Sequence, residues 1–71
     1  MKIGRKRNPR LMAALAESGL TQIELAARCD LTRGTINNLV CMRYDPAPET
    51  AALVARELGT TVGELWPGLE E

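Results

Sequence analysis

The chain has 71 residues, the size of one small domain, near the lower limit at which an apolar core holds together without disulfides or metal. Hydrophobic residues make up 45%, with one Trp, one Tyr and no Phe, so the core must be built from Leu, Ile, Val, Ala and Met. No apolar run approaches the ~20 residues that span a bilayer, and the basic N-terminus has no apolar segment behind it, which excludes a membrane span and a secretory leader and leaves a cytoplasmic protein as the expectation.

Enzyme chemistry is not expected. Histidine is absent, Ser18 is the only serine, and the carboxylates are scattered as on a solvated surface. Cys29 and Cys41 match neither a CxxC motif nor zinc spacing, so no metal and no cofactor are expected, and both read as free thiols of a reducing compartment. The formal charge is zero, but it is unevenly placed. Residues 1–45 carry eight basic side chains against four acidic ones, and residues 46–71 carry one against five. A molecule with one positive and one negative end suits a domain that offers only one of them to a polyanion.

In chain order, residues 1–7 read as a flexible basic arm that includes Lys6 and Arg7. Asn8-Pro9 predicts a helix start, an N-cap followed by proline where its missing N–H costs nothing. Leu11, Met12, Leu15 and Ala16 then form an apolar stripe that stops at Gly19. Thr21-Gln22-Ile23-Glu24 is a capping box, with Leu20 and Leu25 at the staple positions around it. Leu25, Ala26 and Cys29 face inward on this second helix, whereas Ile23 either touches the N-terminal segment or stands exposed.

Asp30 ends the second helix and Thr32 caps a third, which reaches about Cys41 with Ile36, Leu39 and Val40 inward. A Pro-rich loop follows at Tyr44-Asp45-Pro46-Ala47-Pro48. A fourth helix is expected over roughly Glu49 to Leu58, stopping at Gly59. Thr61-Val62-Gly63-Glu64 forms a second capping box and opens a short fifth helix that Pro67-Gly68 terminates. Val62 and Leu65 suit the core; Trp66 and Leu69 either cover it or form a partner surface.

Counted from Gln22, the segment to Cys41 resembles the helix-turn-helix of the bacteriophage Cro/repressor-type family. Leu25, Ala26, Cys29, Leu31, Ile36 and Leu39 fall at its fourth, fifth, eighth, tenth, fifteenth and eighteenth positions. Leu20-Thr21-Gln22 matches the usual lead-in, and the resemblance extends over roughly residues 8–66. One departure is Asp30, where the family usually has Gly in a left-handed turn; Asp is among the few other residues that tolerate φ > 0. The resemblance implies an all-α, compact five-helix, lambda-repressor-like DNA-binding domain over residues 8–71, with helices 2 and 3 as the helix-turn-helix. It also implies double-stranded operator DNA as partner and a homodimer.

On the third helix the wheel places Gly34, Asn38 and Cys41 along the outward stripe, Thr35 and Asn37 beside it, and Arg33 at the N-terminal end. Arg pairs bidentately with guanine and Asn with adenine in the major groove. Gln22 and Thr32, at helix N-termini, suit phosphate oxygens, as do Arg43, Tyr44 and the arm residues Lys6 and Arg7. Gly34 weakens the helix by about 1 kcal/mol, a sacrifice that makes sense where backbone must approach DNA. The bland alternatives are a solvated Arg-Asn face, a floppy soluble tail, locally relaxed packing at Gly34 and an incidental exposed thiol at Cys41.

The expected function is therefore a sequence-specific transcriptional regulator, a repressor of phage, plasmid or bacterial origin. Its third helix enters the major groove, and its dimer contact lies at Trp66 and Leu69 in the acidic half, with DNA completing the pair where the free dimer is weak. With no room for a sensing domain, control would come through concentration, stability or a regulatory protein partner. The competing class is a protein-interaction helix-turn-helix module, such as an antitoxin or anti-repressor component.

Overall fold

The computed structural model describes residues 7–69. Five α-helices follow one another: α1 (Pro9–Ser18), α2 (Gln22–Arg28), α3 (Arg33–Val40), α4 (Pro48–Glu57) and α5 (Val62–Leu65). No strand occurs among the described residues, as the punctuation of the sequence requires.

The ends of these helices show why they form where they do. Asn8 Oδ1 accepts from the backbone N–H groups of Arg10 and Leu11 at 3.1 and 3.0 Å, satisfying two donors that the first turn of α1 would otherwise leave bare. Gly19, at φ 77°, stops the helix in the left-handed region. At α2 the capping box closes in both directions, Thr21 Oγ1 accepting from Glu24 N–H at 3.1 Å and Glu24 Oε1 from Thr21 N–H at 2.9 Å. Only half of the second box forms: Thr61 Oγ1 accepts from Glu64 N–H at 3.2 Å without a return bond. The fourth helix starts one residue earlier than the sequence suggests, because Pro48 serves as its first residue and Ala47 stands before it without a side-chain cap.

Asn8 does more than cap. It is 4% exposed, its Nδ2 donates to the Leu65 carbonyl at 2.9 Å, and its backbone N–H donates to the Val40 carbonyl at 2.8 Å. One residue thus joins the start of α1 to the ends of α3, through its backbone, and of α5, through its side chain.

Leu11, Leu25, Ile36, Leu39, Val54 and Leu65 are fully buried and draw on all five helices. Burying a side chain of this size contributes about 1.5–3 kcal/mol, and the small residues Ala26, Ala51 and Ala55 let helix axes approach between them. Leu20 and Leu31 pack partly buried against this cluster, and the Pro46 ring is buried in the loop before α4. Both cysteines are free. Burial, and secondarily the Glu57 carboxylate, raise the Cys29 thiol above its ordinary pKa, so it stays protonated at neutral pH and behaves as a small hydrophobe.

One expectation about a single residue fails, and for two other residues one of the stated alternatives holds. Cys41 is buried, not exposed. Its N–H keeps the helical bond to the Asn37 carbonyl at 2.9 Å and its thiol lies 3.9 Å from Asn37 Oδ1; a wheel describes the helix alone and not the chain that folds back beyond it at Met42. Trp66 belongs to the core at 8% exposure. Leaving the helix at φ −132°, ψ 76°, it packs into the cluster, so of its two alternatives the one in which it covers the core holds. Leu69, 37% exposed, can supply a partner surface. For Ile23 the exposed alternative holds, at 63%.

Candidate nucleic-acid interface

The pairing of α2 with α3 is the most extensive helix contact in the molecule. Leu25 and Ala26 on α2 meet Ile36 and Leu39 on α3, all buried, and Leu31 closes the turn between the helices from inside. That turn is set by main chain. The N–H of Asp30 donates to the Ala27 carbonyl at 3.2 Å and that of Leu31 to the Ala26 carbonyl at 2.8 Å, the paired bonds of a Schellman ending. Asp30 sits at φ 59°, the left-handed conformation expected of it from its place in the pattern. Thr32 then opens α3, its Oγ1 accepting from Thr35 N–H at 3.1 Å with the two hydroxyls 3.0 Å apart.

With Ile36, Leu39 and Val40 buried, α3 turns the opposite side outward. Arg33, Gly34 and Thr32 are exposed, Asn38 on the same side is half-buried, and Thr35 and Asn37 are half-buried on its flanks. Gly34 has space around it: a Cβ built there would meet only Thr32 Oγ1, at 3.8 Å. Nothing inside the folded chain demands glycine at this position, which separates its cause from packing. Gln22, first residue of α2, is half-buried, with an Oε1 that is buried and lacks a hydrogen-bond partner. An orphaned acceptor of this kind costs on the order of 1–3 kcal/mol, and only the amide nitrogen can donate to a phosphate.

Beyond α3 the chain reverses through Met42, whose φ of 57° is the second non-glycine value in the left-handed region among the described residues. Met42 N–H donates to the Leu39 carbonyl at 3.2 Å and Arg43 N–H to the Asn38 carbonyl at 3.0 Å, so α3 has the same ending as α2. The reversal brings the Arg43 guanidinium onto Asn38, Nη1 donating to Oδ1 at 2.6 Å. The sequence pattern does not signal this contact, because Met carries no preference for such a turn. Tyr44 follows, half of its surface open to solvent. Arg7 is exposed immediately before the Asn8 cap; Lys6 lies outside the described residues. On the far side of α2, Arg28 approaches Glu57 of α4 at 3.8 Å, and an exposed pair of this kind contributes little.

A family model described as helix-turn-helix matches residues 11–65. The chain belongs to that family, in its Cro/repressor-type branch. No curated protein matches the sequence. Among solved structures, the clp gene regulator ClgR from Corynebacterium glutamicum is similar at 28% identity and a TM-score of 0.74, over 82% of this chain and 62% of that one. In that structure the present chain spans less than two thirds of the ClgR chain. The DNA-binding domain of the P22 C2 repressor shares the fold at 15% identity and a TM-score of 0.77, covering 93% of this chain and 88% of that domain. So does a segment of the Streptomyces albus enzyme HEPD, at 23% identity and a TM-score of 0.73, over 92% of this chain but only 15% of the enzyme.

Proposed function

We propose that this chain is a sequence-specific DNA-binding transcriptional regulator, acting as a repressor, that inserts α3 into the major groove of an operator. The observation that carries the reading is the division of α3 into a buried face fixed on α2 and an outward face of Arg33, Gly34 and Asn38, with no packing reason for the glycine. Arg33 reads a base edge from the N-terminal end of the helix, and Thr35 and Asn37 flank it. Gln22, Thr32, Tyr44, Arg7 and Lys6 hold the phosphates on either side and set the depth of entry.

The work is that of a cytoplasmic protein acting on the chromosome or on phage DNA. Two copies pair through the acidic half, away from phosphate. There Leu69 joins Pro46, Pro48, Ala51 and Val62 around an apolar hollow of about 270 Å³, a better candidate contact than the buried Trp66.

Selection of bound duplexes from a random pool tests the reading. The wild-type chain should enrich one sequence, and Arg33→Ala should lose about 1–3 kcal/mol on that site while relaxing preference at one base pair. Removal of residues 2–7 should weaken all duplexes alike and flatten the salt dependence, because fewer counterions are displaced. Equal weakening of every duplex by both changes would disprove the assignment of α3.

A further inference from the structure

Asn38 stands on the outward side of α3 and Arg43 in the turn that follows it. Two bonds join them: Arg43 N–H to the Asn38 carbonyl at 3.0 Å, and Arg43 Nη1 to Asn38 Oδ1 at 2.6 Å. A guanidinium only donates, so the amide atom it meets must be the oxygen. This fixes which way the Asn38 amide is turned, a point that ordinarily has to be assigned from the network around it. The contact is built into the backbone, since Met42 in the left-handed conformation folds Arg43 back over the last turn of the helix.

The bond changes what Asn38 can read. A free asparagine recognises adenine by accepting from N6–H and donating to N7, and it needs both halves of its amide. Here the accepting half is engaged. Its second lone pair could meet adenine N6 only with the N–H groups of Arg43 crowded against that donor. Guanine presents N7 and O6, both acceptors, and the pair Asn38-Arg43 presents only donors. We infer that Arg43 is a positioning residue that converts Asn38 from a reader of adenine into a donor-only reader of guanine. The inference rests on α3 being the DNA-facing helix, and its test separates the two.

Duplex selection is run with the full chain and with Asn38→Ala, Arg43→Ala and Arg43→Met. The base position whose preference disappears in Asn38→Ala is the one that Asn38 reads. Wild type should hold guanine there, and both Arg43 variants should lower the guanine-to-adenine ratio at that position roughly tenfold, leaving the other positions unchanged. Arg43 is exposed, so both variants should keep the wild-type circular dichroism spectrum. Adenine at that position in wild type would overturn the inference. So would Arg43 variants that bind every duplex more weakly with the ratio intact, since Arg43 would then be a plain phosphate contact. An enriched site to which Asn38→Ala is indifferent sinks this inference alone. A wild-type chain that enriches nothing sinks the DNA reading and this inference with it.

Discussion

Gly34 is the residue at which folding and the binding we propose make different demands. It lies in the first turn of α3, exposed and with room for a side chain, where alanine would be the better helix former by roughly 0.5–1 kcal/mol. Gly34→Ala should therefore raise the melting temperature by a few degrees, a small domain gaining roughly 4–8 °C per kcal/mol. If the backbone approaches DNA here, the added methyl should also lower operator affinity tenfold or more. Thermal melts and titrations of the same preparation check the two effects together. An affinity equal to wild type would return Gly34 to incidental packing. Residue-scale legibility was uneven for physical reasons. Asp30 could be placed in a left-handed turn because Asp tolerates that conformation. Met42 could not, because its conformation comes from the Schellman ending of α3 and not from any tendency of Met. Cys41 reads as outward because a wheel describes one helix and not the chain that folds back beyond it, and Trp66 reads equally as core cover or partner surface because it lies just past a helix end, where periodicity stops describing direction.

Among the elements, α1, α3 and α5 are held together at one buried point. Asn8 caps α1 and also meets the carbonyls of Val40 and Leu65. Only the cap was legible, since a bond across 57 residues leaves no trace in local spacing. Losing an N-cap costs about 1 kcal/mol, and leaving the Leu65 carbonyl buried without its donor adds on the order of 1–3 kcal/mol. Asn8→Ala should therefore lose about 2–4 kcal/mol in denaturant unfolding. Asn8→Ser, which keeps a capping acceptor but lacks the NH2 group and adds no charge at this buried site, should recover the capping share alone. A loss for Asn8→Ala no larger than that of Thr61→Ala would mean that the bond to Leu65 contributes nothing. The helices themselves, their order and the α2–α3 pairing were all readable, because caps and apolar spacing are local properties of the chain.

At the scale of the whole molecule, the described residues measure 36 × 28 × 21 Å. On the proposed reading, one recognition helix on such a body reaches only a few base pairs, too few to select one site among genomic competitors. Two copies side by side would bring their α3 helices to a separation near one turn of DNA, about 34 Å. Footprinting and sedimentation with operator duplex should show two chains on a two-fold site, and Leu69→Glu should weaken their pairing while sparing the fold, because Leu69 is exposed. A single chain protecting one half-site, indifferent to the spacing of the next, would contradict the paired arrangement. No helix among the described residues is long and apolar enough to cross a membrane.

The split of α3 into two faces has an evolutionary consequence. Residues that anchor the helix, Ile36, Leu39 and Val40, are buried, while Arg33 and Gly34 are exposed and take no part in the core. The turns at either end are fastened by main-chain bonds, which do not depend on the outward side chains. With α3 as the reading helix we propose, target preference can therefore drift by substitution at positions 33 and 34 with little penalty in foldability, so descendants of one scaffold can acquire separate operators without passing through an unfolded ancestor. Position 38 is less free, because a change there also releases Arg43.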